Sequence, residues 1–345
     1  MEQVVVIGGG QAGLAAAWAV KSAGGRPVVL EAGPRPTGSW ASYYDSLTLF
    51  SPARFSSLPG LAFRGDPERY PHRDEVVDYL SRYAEWLDVD VRTGHRVAKV
   101  VEADGGFEVW SGDGRRVGAR RVIAASGGFG RPWRPALPGL DRFTGSVVHA
   151  AEYRNPSGYE GKRVVVVGAG NSAVQIAHEL AAVASVTVAS RKPVRFVPQR
   201  PWGRDVHWWW HVTGVDRVPV GRWLPDRSST PVLDPGVYRA AMRAGRPDRR
   251  PVFTGLDGST VTWADGRREH VDAIVLATGY RPELTYLEPL GALTAAGFPR
   301  HREGLSTTHT GLGYVGLEFQ RSLSSATLRG VGGDAGFVVS RLGRR

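Results

Sequence analysis

The chain contains no cysteine. That absence excludes disulfide frameworks, zinc–thiolate sites, iron–sulfur clusters, nucleophilic thiols and redox-active dithiols together. Lysine is nearly missing too, confined to Lys21, Lys99, Lys162 and Lys192, so arginine carries the formal net charge of +11. No compact basic stripe interleaved with aromatics accompanies that charge, which therefore reads as scattered solvated arginine and not as a nucleic-acid surface. No apolar run approaches the ~20 residues of a membrane span. The first residues carry no basic stretch followed by an apolar core and a cleavage site. The expectation is a cytoplasmic protein that binds neither nucleic acid nor membrane, with a homodimer as the default association.

What is present suffices for folded domains. The 345 residues are 42% hydrophobic and 22% charged, enough apolar material for two cores and too little charge for disorder. One plan is used twice. The first copy opens on the β-branched run Val4-Val5-Val6-Ile7 and turns at Gly8-Gly9-Gly10-Gln11-Ala12-Gly13. It continues through an Ala-rich helix to a second strand, Pro27-Val28-Val29-Leu30, closed by Glu31 and Ala32. The second copy reads Val164-Val165-Val166-Val167, then Gly168-Ala169-Gly170-Asn171-Ser172-Ala173. A helix follows, then a strand from Ser185 to Ala189 closed by Ser190-Arg191-Lys192. Unbroken β-branched runs are what a parallel strand buried on both faces requires.

Each copy later carries a small antiparallel meander. The first is predicted over Val97–Val101, Phe107–Ser111 and Arg121–Ala125, and the second over Val252–Thr254, Ser259–Trp263 and Val271–Leu276. Their last strands end in small-residue turns, Ala125-Ser126-Gly127 and Ala277-Thr278-Gly279. The fold class is therefore α/β, with two Rossmann-like dinucleotide-binding domains, each bearing a meander. The expected division is 1–142 with 285–345 for the first domain and 143–284 for the second, whose Trp-rich insertion covers about 199–250.

A G-x-G-x-x-G pattern is weak alone, but here each copy sits between a buried strand and a helix. Gly8 makes the tight turn, Gly10 admits the pyrophosphate, and Gly13 packs helix on strand while the helix N-terminus faces the phosphates. Ala173 takes the third position in the second copy, within the tolerated G/A variant. Glu31 lies 18 residues past Gly13, where a carboxylate accepts from ribose hydroxyls and repels a 2′-phosphate. That suits FAD. The same count from Ala173 lands on Arg191, between Ser190 and Lys192, and a guanidinium there binds phosphate bidentately. The second site is expected to prefer NADPH. The expected cofactor-lining residues are Gly8, Gly10, Gln11, Ala12, Gly13, Glu31, Ala32, Val97, Ser126 and Gly127 at the first site. At the second they are Gly168, Gly170, Asn171, Ser172, Ala173, Ser190, Arg191, Lys192, Ala277, Thr278 and Gly279.

Between the copies runs Phe143-Thr144-Gly145-Ser146-Val147-Val148-His149-Ala150-Ala151-Glu152-Tyr153, of the form F-x-G-x3-H-x3-Y. With this connector the chain resembles the class B flavin monooxygenases, which include the flavin-containing and the Baeyer–Villiger monooxygenases. Gly38-Ser39-Trp40, Tyr70-Pro71-His72-Arg73, Leu276-Ala277-Thr278-Gly279-Tyr280 and Gly316-Leu317-Glu318-Phe319-Gln320-Arg321-Ser322 resemble further patterns of that family. The resemblance covers nearly the whole chain except about 199–250.

The resemblance implies that NADPH reduces the flavin and that the reduced flavin captures O2 as a C4a-peroxide. That adduct then oxygenates a small-molecule substrate. No metal and no protein nucleophile are needed, because the cofactor carries the chemistry. By the same resemblance, Ser39 and Trp40 cover the flavin, and Gln320, Arg321 and Ser325 lie near its ring. The residues placed nearest the chemistry are His149, Asn171 and Gln320, with His149 in the hinge that couples NADP+ to the flavin domain and not acting as a proton donor. Two departures matter. Phe50 or a neighbour stands where many flavin-containing monooxygenases have an asparagine, and Tyr153 is followed by Arg154, unlike typical Baeyer–Villiger enzymes. The expected reaction is oxygenation at nitrogen or sulfur. The alternatives are an NADPH-dependent flavin reductase or oxidase releasing H2O2, and a non-catalytic redox-binding protein. Trp202, Trp208, Trp209, Trp210 and Trp223 in the insertion form a substrate lid, a satellite core or a subunit interface.

Overall fold

The computed structural model describes residues 2–221 and 231–342; Trp223 lies outside the described residues. The chain opens with β1 (Glu2–Ile7), α1 (Gln11–Ser22) and β2 (Pro27–Leu30), then α2 (Arg73–Leu87) and β3 (Asp90–Arg92). The meander β4 (Val97–Ala103), β5 (Gly106–Ser111) and β6 (Arg116–Ala124) follows. β6 begins five residues before the predicted Arg121 because one long strand serves two purposes. Its first half pairs antiparallel with β5, through Arg116–Ala119, and its second half runs parallel to β1, with Ile7 opposite Ala124.

A short β7 (Arg131–Pro132) leaves this domain. The second contains β8 (Ser146–His149), β9 (Arg163–Val167), α3 (Asn171–Leu180) and β10 (Ser185–Ala189). The insertion supplies β11 (Phe196–Pro198), α4 (Val206–Thr213), β12 (Val232–Asp234) and α5 (Val237–Arg243), and β13 (Asp248–Arg250) rejoins the sheet. Its meander is β14 (Gly255–Asp257), β15 (Thr260–Thr262) and β16 (Arg268–His270), and it is separate from the sheet strand β17 (Ala273–Leu276). Here the expectation is corrected: Val271–Leu276 is not the meander's third strand. Asp272 breaks it, its backbone bonding to Arg163 and Ser146 of the parallel sheet. β18 (Tyr280–Arg281) pairs antiparallel with β7, so the outgoing and returning chains cross as a two-stranded hinge. The chain then adds β19 (His301–Arg302), β20 (Leu305–Ser306), β21 (Leu312–Tyr314) and α6 (Leu328–Arg341) to the first domain.

The first sheet runs β19-β20-β21-β6-β1-β2-β3, and the second runs β13-β10-β9-β17-β8. β1 explains why the first core has two halves. Val4 and Val6 face α1, α2 and α6, while Val5 and Ile7 face the meander and the segment around Leu287. β9 repeats this, with Val164 and Val166 under α3 and Val165 and Val167 under the second meander. Burying such side chains contributes about 1.5–3 kcal/mol each. Both glycine turns thereby open at the carboxyl ends of their sheets, where ligands of open α/β sheets bind.

Candidate active site

The first turn needs glycine for reasons visible in the backbone. Gly8 has φ 106°, and a methyl on Gly13 would lie 1.7 Å from the Gly8 carbonyl oxygen. The N-terminus of α1 has no side-chain cap and no acid in its first turn, which leaves its amides available to phosphate. Glu31 is held rigidly beside it. One carboxylate oxygen accepts from Gly9 N at 2.6 Å and the other from Gly33 N at 2.6 Å, and each retains a lone pair for a ribose hydroxyl. Trp40 Nε1 donates to Gln11 Oε1 at 3.1 Å, and Gln11 Nε2 donates to the Ala326 carbonyl at 2.5 Å. Ser39, Trp40 and the N-terminal side of α6 thus gather around the first turn. The residues present fit FAD.

The second turn repeats the form, with Gly170 as N-cap of α3 and again no side-chain cap or first-turn acid. No atom lies within 4 Å of the place a Gly170 Cβ would take. Its register corrects one expectation. Gly8 N donates to Leu30 O, one residue before Glu31, and Gly168 N donates to Ala189 O, one residue before Ser190. Ser190, and not Arg191, is therefore the structural counterpart of Glu31; the loop in the second copy is one residue shorter. Arg191 and Lys192 follow as exposed residues. Ser190 is buried, and its hydroxyl accepts from Arg249 Nε at 3.1 Å. Among the described residues no carboxylate bonds Ser190, and the residues fit NADPH.

His149 ends β8 and has no exposed surface. Its Nε2 lies 3.1 Å from the Gly279 carbonyl, and its Nδ1 accepts from Ala151 N at 3.1 Å. Nδ1 is therefore the unprotonated nitrogen and Nε2 the donor. Burial pushes the ring below the ordinary histidine value. With both nitrogens engaged, the ring ties the end of β8 to the turn at Gly279. Glu152 tightens the same crossing, accepting from His149 N at 2.8 Å and pairing with Arg134. Tyr44, from the first domain, reaches Gln175 of α3.

Other predicted residues are turned inward. Gln320 donates to Tyr314 O at 2.9 Å and accepts from Leu317 N, so its amide holds the backbone. The Ser325 hydroxyl is buried and accepts from Arg321 N and Ser322 N. Asn171 Oδ1 accepts from Leu233 N at 3.3 Å, tying α3 to the insertion. The Val97 side chain packs into the core, leaving only its backbone for a ligand. Ser126 bonds Glu283 O and Tyr286, and Thr278 bonds Trp133 O. Gly127 stands open, with no atom within 4 Å of a Cβ there.

Glu318 falls in the C-terminal run quoted from the sequence but was given no role there. A methyl on the neighbouring Gly128, just past the end of β6, would lie 3.9 Å from its Cγ. Its surface is accessible although protein surrounds it, as for a side chain in a crevice, and this enclosure raises its carboxyl above the usual range. Phe50 stacks on His207, with ring centroids 6.1 Å apart. The insertion covers this region, and Asp205 is its anchor. Asp205 accepts from Tyr70 Oη at 2.5 Å, Gln199 Nε2 at 2.8 Å and His207 N at 2.8 Å. Among the described residues no group of three or more His, Asp or Glu side chains could hold a metal.

These two nucleotide cradles on paired sheets define an oxidoreductase that joins a flavin to a pyridine nucleotide. The chain belongs to the pyridine nucleotide-disulphide oxidoreductase family, which residues 5–203 match. It is 32% identical to an uncharacterised CzcO-like oxidoreductase of Geobacillus kaustophilus over 98% of this chain and 97% of the relative. It is 30% identical to the indole-3-pyruvate monooxygenase YUCCA1 of Oryza sativa over 88% of this chain and 81% of that one. Among solved structures, the flavin-containing monooxygenase from Stenotrophomonas maltophilia superposes with a TM-score of 0.87 at 30% identity, covering 99% of this chain and 98% of the other. The dithiol chemistry in the family's description is closed to a chain without cysteine. Its likeness is to the flavin-dependent monooxygenases. No helix among the described residues is long and apolar enough to cross a membrane.

Proposed function

We propose that the protein is an NADPH-dependent FAD monooxygenase that inserts one oxygen atom of O2 into a small molecule, at nitrogen or sulfur and not beside a ketone carbonyl. The likeness to flavin monooxygenases supports the oxygenation, and one observation carries the nucleotide assignment. Equivalent positions of two matching folds hold opposite chemistry, Glu31 against Ser190 with its arginine neighbours, which separates a bare ribose from a 2′-phosphorylated one. Bound FAD supplies hydride acceptance and O2 activation. The chain's own residues bind, orient and exclude water. The glycine turns and the N-termini of α1 and α3 hold the phosphates, His149 fixes the hinge, and the aromatic insertion shields the region of Phe50. Preference for a heteroatom follows from Tyr153 and Arg154. These residues bond Glu179 and the Ser42 carbonyl, taking the place of the Trp-Pro or Trp-Asp expected of Baeyer–Villiger enzymes.

Phe50 favours a second reading, an oxidase releasing H2O2, because it has no hydrogen to donate to a bound oxygen species. Oxygen stoichiometry separates the two. With amines, sulfides, ketones and indolic compounds including indole-3-pyruvate supplied in turn, a monooxygenase diverts O2 from H2O2 into product for at least one of them. Full recovery of O2 as H2O2 with every compound establishes the oxidase.

A further inference from the structure

We infer that Arg249, held in place by Ser190, seats the 2′-phosphate of the pyridine nucleotide and is a determinant of its selection. This rests on the NADPH preference proposed above and extends it to a residue from a different strand. The register assigns the position. β13 runs parallel to β10, with Val188 opposite Arg249 and Ala189 opposite Arg250, and Ser190 N donates to Arg250 O. Arg249 is thereby carried to the end of β10, where Ser190 occupies the place that Glu31 has in the first domain.

Its guanidinium is fixed there by two bonds, Nε to Ser190 Oγ at 3.1 Å and Nη2 to Ser190 O at 3.2 Å. Its neighbours are committed elsewhere. Arg250 pairs with Asp248 and Asp265, and Asp248 accepts from Thr187. Arg249 itself makes no ion pair among the described residues. A half-buried guanidinium held by serine alone, with no carboxylate beside it, keeps its charge and its remaining donors for an anion. In the first domain the same place carries an acid that takes two backbone amides for itself. The insertion, otherwise read as a lid or interface, thus ends in the strand that completes the nucleotide site.

The test is direct binding to the FAD-loaded protein without turnover. Dissociation constants for NADP+ and NAD+ are measured by calorimetry in wild type, Arg249→Ala, Arg249→Lys and Arg191→Ala. The expected result is a NADP+ constant raised by about 10- to 100-fold in Arg249→Ala, the size of a lost charge-assisted phosphate contact, with the NAD+ constant unchanged. Arg249→Lys should fall between, keeping the charge and losing the fork. Equal weakening of both nucleotides, or none of either, would overturn the role of Arg249. Should wild type bind NADP+ and NAD+ alike, the NADPH preference itself would fail. Loss of selectivity in Arg191→Ala but not in Arg249→Ala would keep the preference and remove Arg249 from it.

Discussion

Gly13 and Ala173 occupy the same place in the two copies and carry different constraints. A methyl on Gly13 meets the Gly8 carbonyl at 1.7 Å, so Gly13→Ala forces helix from strand and should cost at least about 2 kcal/mol. The reciprocal Ala173→Gly only loosens the first turn of α3, at about 1 kcal/mol. Thermal melts should therefore show a displacement about twofold or more larger for Gly13→Ala, and equal displacements would contradict the packing given for the first turn. Glu318 invites the opposite experiment. An unfolded glutamate titrates near 4.5 and the folded one higher, so the folded state binds more protons between the two values. Stability is then lost as pH rises through that window, and it stays lowered above it. Glu318→Gln should raise Tm at neutral pH and leave it unchanged at acidic pH near the unfolded value. A Tm that falls at neutral pH would show that the carboxylate is instead satisfied.

The insertion is the element whose role depends most on one side chain. Asp205 gathers Tyr70 of the first domain, Gln199 and His207 within hydrogen-bonding distance, and Asp216 pairs with Arg329 of α6 at 2.9 Å. Asp205→Ala leaves those buried donors unpaired, and about 3 kcal/mol is the expected loss. Limited proteolysis should then cut within 199–250 before the rest of the chain; unchanged protection would mean that the aromatic packing alone holds the segment. That role was not legible in the sequence, where a tryptophan cluster fits lid, core or interface equally. Trp202 is 86% exposed, while Trp208, Trp209 and Trp210 are half-buried and Trp210 meets His207 edge-to-face, so the cluster is graded from surface to half-buried. The strands and turns of both nucleotide folds were legible because β-branched runs and glycine spacing are local signals. The counterpart of Glu31 was not, since its register depends on a loop one residue shorter. For Gln320 and Ser325 motif resemblance locates a segment, and packing decides which way a side chain turns, here onto backbone groups.

At the scale of the whole molecule, two sheets of one plan are joined by the β7–β18 crossing and latched by His149, Glu152 and Arg134. Their nucleotide ends carry unlike chemistry. The charge of +11 adds a general attraction for a phosphorylated nucleotide, but the proposed selectivity rests locally on Glu31 and on Ser190 with its arginine neighbours. The most direct test is an anaerobic titration of the purified protein, following flavin absorbance as NADPH or NADH is added. The expected result is a yellow protein with one FAD per chain, bleached by NADPH at concentrations about tenfold or more below those required of NADH. A colourless protein that takes up no flavin, or one bleached equally by both nucleotides, would contradict it.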